Sequence, residues 1–206
     1  MTEQNLTRLN IGQKAAYDSI MASVINKEGK LFFVHGPGGC GKSFLWNTLA
    51  HSVRGQELIV LCITFSDIAA LILIGGQTAH FALLIPIDIH KDSFCMIKKG
   101  TLKAELLQQC SLIIWDELPM QHHHVAEAVD RTLKDILNQP DRPFGGITVA
   151  WGGDFQQTLP VVPKGSKEEI VAACIQRSPL WHPYMTVLHL TEICVWTNLI
   201  QTVSNL

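Results

Sequence analysis

Eight residues, Gly36-Pro37-Gly38-Gly39-Cys40-Gly41-Lys42-Ser43, carry the most specific chemistry in the chain. They fit G-x-x-x-x-G-K-[ST], the spacing of a loop that cradles the phosphates of a nucleotide. Glycines allow the tight bends that turn successive backbone N–H groups toward one anion. A lysine after the last glycine sets a charge beside the β- and γ-phosphates, and the hydroxyl that follows can bind Mg²⁺. Lys42 and Ser43 fill those positions, with Gly36, Pro37, Gly38, Gly39, Cys40 and Gly41 as the cradle. The flanks agree. Leu31-Phe32-Phe33-Val34-His35 has the length and character of a buried strand, and Phe44 to Ala50 carries helical spacing. The loop therefore sits where a helix adds its positive N-terminal end.

Two further stretches supply reactive groups. Asp116-Glu117 follows the apolar run Leu112-Ile113-Ile114-Trp115. A carboxylate at a strand end near a phosphate loop suits Mg²⁺, held directly or through water, and this assigns Asp116. Glu117 can orient or deprotonate an attacking water. A solvated acidic turn has the same local sequence; the pairing with the phosphate loop, in this order, gives the two acids their meaning. After Ile147–Trp151 comes Gly152-Gly153-Asp154-Phe155-Gln156-Gln157. An amide such as Gln157 could donate to the γ-phosphate and report its loss, although a glycine-rich loop with incidental polar residues reads the same in isolation. His122, His123 and His124 are adjacent, so their side chains should point in different directions, unlike the i, i+4 pair of a helical zinc site. They read as polar surface or a DNA-facing corner.

The elements that must position these residues alternate. Residues 13–25 carry helical spacing, 31–35 reads as a first strand, and a helix spans about 42–53. Leu58 to Ile63 is a second strand and Ile68 to Ile74 a short helix ended by Gly75-Gly76. The region 77–100 reads as irregular. Leu102 to Gln109 is a helix, Leu112 to Trp115 a third strand, Val125 to Leu137 an amphipathic helix, Ile147 to Trp151 a fourth strand and Val187 to Leu190 a fifth. Such alternation predicts an α/β fold with a mostly parallel sheet flanked by helices on both faces, and ligands at the carboxyl ends of its strands.

Bulk properties narrow the classes. The chain has 206 residues, 47% hydrophobic and 17% charged, which suits one well-cored domain and excludes a disordered chain. A net charge of −2 gives no global basic field, so any nucleic-acid binding must be local or lie elsewhere. The six cysteines (40, 62, 95, 110, 174 and 194) include no C-x-x-C pair and read as reduced thiols of an intracellular protein. Met1 to Gln13 is polar and does not resemble a secretory signal. Ile68 to Ile87 has no Asp, Glu, Lys or Arg, but Gly75, Gly76, Gln77, His80 and Pro86 interrupt it. A membrane helix wants about 20 mainly apolar residues, so no membrane partner is expected.

With these residues in place, the chain resembles the first motor domain of the Pif-one (petite integration frequency) family of superfamily-one DNA helicases. The likeness covers nearly all of residues 9–192. Leu9-Asn10-Ile11-Gly12-Gln13 is similar to the family's N-terminal motif, whose glutamine reads adenine, which implies that role for Gln13. The phosphate loop matches, with Cys40 where threonine is usual. Ile68-Ala69-Ala70 with Gly75-Gly76-Gln77-Thr78-Ala79-His80 resembles the motif that lies against single-stranded DNA. Leu112 to Met120 is close to the family's DEAPM box, Glu127 to Ile136 to the helix after it, and Gly152 to Pro163 to its third motif, with Gln156 replacing a common arginine. Helitron-type rolling-circle transposons carry a similar domain.

The resemblance implies a RecA-like P-loop NTPase fold and an ATP-dependent DNA helicase. ATP and Mg²⁺ would be its cofactors and single-stranded or forked DNA its partner, in DNA repair, recombination and telomere or genome maintenance. It also implies a nuclear or mitochondrial location. Three departures qualify this. Phe65-Ser66-Asp67 stands where small residues are usual, and an exposed aspartate there would repel a phosphate backbone by up to about 1 kcal/mol. Ile193-Cys194-Val195-Trp196 replaces an Asn-Met-Arg whose arginine contacts the γ-phosphate. The second motor domain, with its arginine finger, is expected to be absent, leaving residues 1–206 as one motor domain. Loss of an arginine finger can cost 10³–10⁵ in rate, so weak Mg·ATP binding, very slow hydrolysis and no unwinding are expected of this chain. Two other readings stay open: a non-catalytic nucleotide-binding module that regulates a full-length helicase, and an ATPase acting on something other than DNA.

Overall fold

Runs such as Leu31–Val34 and Leu112–Trp115, apolar at every position, are stable as strands only when both faces of the sheet are covered. The computed structural model, which describes residues 2–157, 159–162 and 165–193, meets that condition. Its strands are β1 (Leu31–His35), β2 (Ile59–Thr64), β3 (Gly76–Thr78), β4 (Cys110–Asp116), β5 (Thr148–Gly153) and β6 (Met185–His189). They form one sheet in the order β3-β2-β4-β5-β1-β6, and every pairing is parallel. The helices are α1 (Thr2–Leu6), α2 (Ile11–Ile25), α3 (Lys42–Gly55), α4 (Asp67–Ile72), α5 (Ala79–Leu83), α6 (Leu102–Gln108), α7 (His123–Leu137) and α8 (Lys167–Ala173).

Alternate strand residues feed two cores. Phe33, Ile63, Ile113, Trp115, Val149 and Trp151 face one that is closed by Leu83, Leu107, Val129 and Leu133 of α5, α6 and α7. Phe32, Val34, Cys62, Leu112, Ile114 and Ala150 face the other, closed by Ile20 and Val24 of α2 and Leu45, Trp46 and Leu49 of α3. The α/β fold with helices on both faces, expected from the alternation, is the one observed.

The differences are local and have physical causes. Region 77–100, expected to be irregular, contains part of β3 and all of α5. A three-residue strand is too short to show alternation, and it forms because Gly76 lets the backbone close on α4: a Cβ there would lie 2.3 Å from the Ala70 carbonyl oxygen. Helix α8 was not expected, yet Ser166 and Glu169 form a capping box at its start, an S-x-x-E signal present in the sequence. Strands β4 and β5 run further than expected, so Asp116, Gly152 and Gly153 are strand residues. Ile68–Ile87 breaks into α4, β3 and α5, and among the described residues no helix is long and apolar enough to cross a membrane. Among the described residues, Cys62, Cys95, Cys110 and Cys174 are free thiols; Cys194 lies outside the described residues. Burial pushes Cys62 and Cys95 up to about 11 and Cys110 up to about 12, which marks them as packing residues.

Candidate active site

Strands β4, β5 and β1 are neighbours in the sheet, so whatever follows their carboxyl ends must share one rim. The first contributor is the loop between β1 and α3. Gly39 and Gly41 take left-handed backbones, at φ 81 and 79, which a side chain would resist. Gly41 is the N-cap of α3 and offers no side chain to its first turn, so the N–H groups there are left to an anion. A Cβ on Gly36 would lie 2.5 Å from Sγ of Cys40; the buried thiol thus packs directly beneath the loop. The Lys42 ammonium donates to the carbonyl oxygens of Gly36 and, at 3.1 Å, of Pro37, holding its charge inside the curve. Ser43 stands next to it, half-buried, at the start of α3.

The second contributor is Asp116, buried as the last residue of β4. Its Oδ1 has no hydrogen-bond partner among the described residues. Burial pushes this carboxyl above the ordinary carboxylate range, while the Glu117 N–H, the Trp46 indole and the Lys42 ammonium pull it back. Among the described residues the buried indole nitrogen of Trp46 has no partner in hydrogen-bond geometry, so it acts on the acid through its dipole rather than through a formed bond. A Cβ on Gly152 would lie 2.5 Å from Oδ1 and 2.6 Å from Cζ2 of Trp46. Only glycine leaves the acid its place. A buried carboxylate with an open lone pair beside a phosphate loop fits a hard cation that takes oxygen ligands, Mg²⁺ in particular.

Glu117 leaves the strand with a left-handed backbone, φ 58 and ψ 24. Such a conformation costs a non-glycine residue on the order of 1–3 kcal/mol and persists where the surroundings impose it. Here its Oε2 accepts hydrogen bonds from the hydroxyls of Thr64, at 3.2 Å, and Ser66, at 3.0 Å.

The third contributor follows β5. Asp154 organises this turn: Oδ1 accepts the Gln156 N–H at 2.9 Å, and its carbonyl accepts the Gln157 N–H at 3.3 Å. Phe155 stacks on Phe33 of β1, ring centroids 4.6 Å apart. Gln157 is exposed but lies against the phosphate loop, since a Cβ on Gly38 would come within 3.2 Å of its Nε2. Thr158 and Pro163 of the third motif lie outside the described residues. Gln13 reaches the loop from the other side. It is buried, its Nε2 donates to the Cys40 carbonyl at 3.1 Å, and it forms a capping box with Asn10.

The histidines depart from expectation. Their ring nitrogens lie within 4.8 Å of one another, because His122 is extended while His123 and His124 are helical. Two rings are already engaged: Nδ1 of His122 accepts the His124 N–H at 3.1 Å, capping α7, and Nδ1 of His123 pairs with Glu127 at 2.7 Å. Burial, then the two neighbouring rings, pushes His122 down to about 4. The helix that carries these residues acts as a girder. Glu127 also accepts from Ser178, Asp130 accepts the Phe144 N–H, and Arg131 donates to the Ser93 carbonyl.

Sequence reasoning named the loop, both acids and Gln157, and the fold brings all of them to one rim except Glu117, whose carboxylate is turned toward β2 and α4. It missed Trp46, Thr64 and Ser66. Ser66 had a readable signal as an N-cap before an apolar run; Trp46 and Thr64 had none, because their role depends on a neighbouring strand.

Comparison with known proteins agrees with this geometry. A family model described as PIF1-like helicase matches residues 8–203. The ATP-dependent DNA helicase Pif1 of Psychrobacter sp. (strain PRwf-1) is 35% identical over 144 residues, covering 68% of this chain and 21% of that protein. The ATP-dependent DNA helicase RRM3 of Saccharomyces cerevisiae is 30% identical over 170 residues, covering 80% of this chain and 22% of that protein. Among solved structures, the Bacteroides Pif1 helicase in complex with ADP-AlF3 and ssDNA superposes with a TM-score of 0.71 at 25% identity, covering 92% of this chain and 46% of that one. The chain thus spans about a fifth of the length of the curated relatives it matches.

Proposed function

The chain belongs to the PIF1-like helicase family, and from that premise we propose that it is the ATP-binding half of an ATP-dependent DNA helicase motor. The observation that carries this reading is the convergence of the Gly36–Ser43 loop, Asp116 and Gln157 at adjacent strand ends. Loop amides and the N-terminus of α3 bind the phosphate chain, and Lys42 exchanges the Gly36 and Pro37 carbonyls for β- and γ-phosphate oxygens. Ser43 and Asp116 would hold Mg²⁺, which when bound neutralises charge on those oxygens. Glu117 orients or deprotonates the attacking water. Gln157 donates to the γ-phosphate and registers its loss, and Gln13 meets the adenine edge at the far end of the cleft.

Single-stranded or forked DNA is the substrate of this reading; the named relatives are ATP-dependent DNA helicases, and one similar structure holds ssDNA. DNA repair, recombination and telomere or genome maintenance, in the nucleus or mitochondrion, are the corresponding roles. A second reading, a nucleotide-binding module that does not hydrolyse, is favoured by one feature: Ile193-Cys194-Val195-Trp196 in place of Asn-Met-Arg, of which all but Ile193 lie outside the described residues. Phosphate release measured with and without single-stranded oligonucleotide separates the two. The helicase reading predicts Mg²⁺-dependent release that rises with oligonucleotide, and oligonucleotide binding that weakens steeply with salt. Nucleotide binding with no release and no oligonucleotide response would establish the second.

A further inference from the structure

Helix α4 is a weak element placed between two parts of the site. It has six residues, of which only Ala70 is buried, and Ile68, Leu71 and Ile72 are 79, 87 and 56% exposed. A helix that short does not hold itself; its ends are tied instead. At its C-terminal end Asn47 of α3 donates to the Ile72 carbonyl at 3.0 Å and accepts the Ile74 N–H at 2.9 Å. At its N-terminal end one hydroxyl serves two partners. Ser66 Oγ accepts the Ala69 N–H at 3.2 Å, capping α4, and donates to Oε2 of Glu117 at 3.0 Å. Thr64, the last residue of β2, donates to the same carboxylate oxygen. The backbone of Glu117 is left-handed, so its side chain goes where these two hydroxyls hold it.

Resting on the proposed roles of Glu117 and of single-stranded DNA, and on the resemblance that sets Ile68-Ala69-Ala70 against that DNA, we infer that Ser66 is a positioning residue that couples occupancy of α4 to the aim of Glu117. A strand of DNA settling on the exposed face of α4 shifts a helix with little packing of its own. The shift reaches the Ser66 hydroxyl directly, because cap and carboxylate share it. Glu117 is then released from the β2 side and can turn toward the phosphate rim, while Asn47 carries the same movement to the helix that begins with Lys42. The coupling is reciprocal by thermodynamic necessity: nucleotide in the loop must alter the affinity of α4 for DNA by the factor that DNA alters nucleotide affinity.

The test measures that factor on the full chain, as the dissociation constant of a fluorescent oligo(dT) 12-mer with and without saturating Mg²⁺ and AMP-PNP. The parent should show a ratio of about fivefold or more, within the usual range for coupled sites. Ser66→Thr, which keeps both bonds, should retain it. Ser66→Asp keeps a good N-cap but sets a carboxylate against Glu117, and its ratio should fall to within about twofold of unity. Thr64→Val, which leaves the cap of α4 untouched, should lose part of the ratio and keeps the test valid whether or not Ser66→Asp folds. Parental ratios in both Ser66→Asp and Thr64→Val would overturn the link, as would a parent that binds both ligands without coupling. A parent that binds neither ligand overturns the proposed function itself.

Discussion

At the centre of the sheet, β4, β5 and β1 set Trp115, Trp151 and Phe33, all fully buried, beneath the acid and the phosphate loop. At the β3 edge, α4 and α5 leave Ile68, Leu71 and Phe81 in solvent around a shallow groove, with Ile72 of α4 also exposed. Groups that must meet phosphate and metal oxygens within tenths of an ångström need rigid supports, and buried aromatic layers supply them. Under the proposed function this flank would accept a flexible strand of varying sequence, a task suited to soft structure with apolar surface and few fixed contacts. Asp67, which departs from the family pattern and was expected to repel a phosphate backbone, also has a local benefit: it sits in the first turn of α4, where a negative charge favours the helix dipole.

This contrast can be broken in several places. Glu117→Gln keeps shape and removes the proposed base, so phosphate release should fall by about 10²–10⁴-fold with nucleotide affinity little changed; equal losses in both would move Glu117 from chemistry to binding. Trp151→Ala should cost about 3–5 kcal/mol in chemical denaturation, whereas Leu71→Ala should stay within about 0.5 kcal/mol. Similar costs at the two sites would erase the distinction. Gly152→Ala forces a methyl against Asp116 and Trp46 and should cost about 1–3 kcal/mol, while Gly100→Ala, whose Cβ meets nothing within 4 Å, should pay only for its left-handed backbone.

The centre was far more legible than the edge. Long apolar strands announce themselves by composition, and the phosphate loop by residues fixed through backbone geometry, so Lys42, Ser43 and Asp116 could be placed before the fold was known. Strand ends were off by one to two residues, because Asp116 and Gly152-Gly153 look like loop while their backbones still pair. At the edge, β3 and α5 have three and five residues, too few for any period to show. Glu117 illustrates the remainder: its type and position suggested a base, but its present partners, Thr64 and Ser66, are 53 and 51 residues away, and only strand order brings them near.

Two smaller effects sharpen the comparison. Asp116→Asn removes a buried charge whose Oδ1 has no partner, and should raise the midpoint of thermal unfolding by a few degrees, equivalent to about 1 kcal/mol, while abolishing stabilisation by Mg²⁺ with ATP. A lower midpoint would mean that the carboxylate is satisfied by contacts other than those described. Ile68→Ser with Leu71→Ser should leave the unfolding midpoint unchanged and weaken oligonucleotide binding by about threefold to tenfold, near the low end of a single stacking contact.

The account depends first on a triphosphate seated in the Gly36–Ser43 loop under the charge of Lys42. Calorimetric titration of Mg·ATP into the parent chain and into Lys42→Ala tests this most directly. One saturable site that needs Mg²⁺, weakened at least about tenfold in the variant through loss of charge-assisted hydrogen bonds, is the predicted result. Equal affinity in the two chains, or binding indifferent to Mg²⁺, would contradict it.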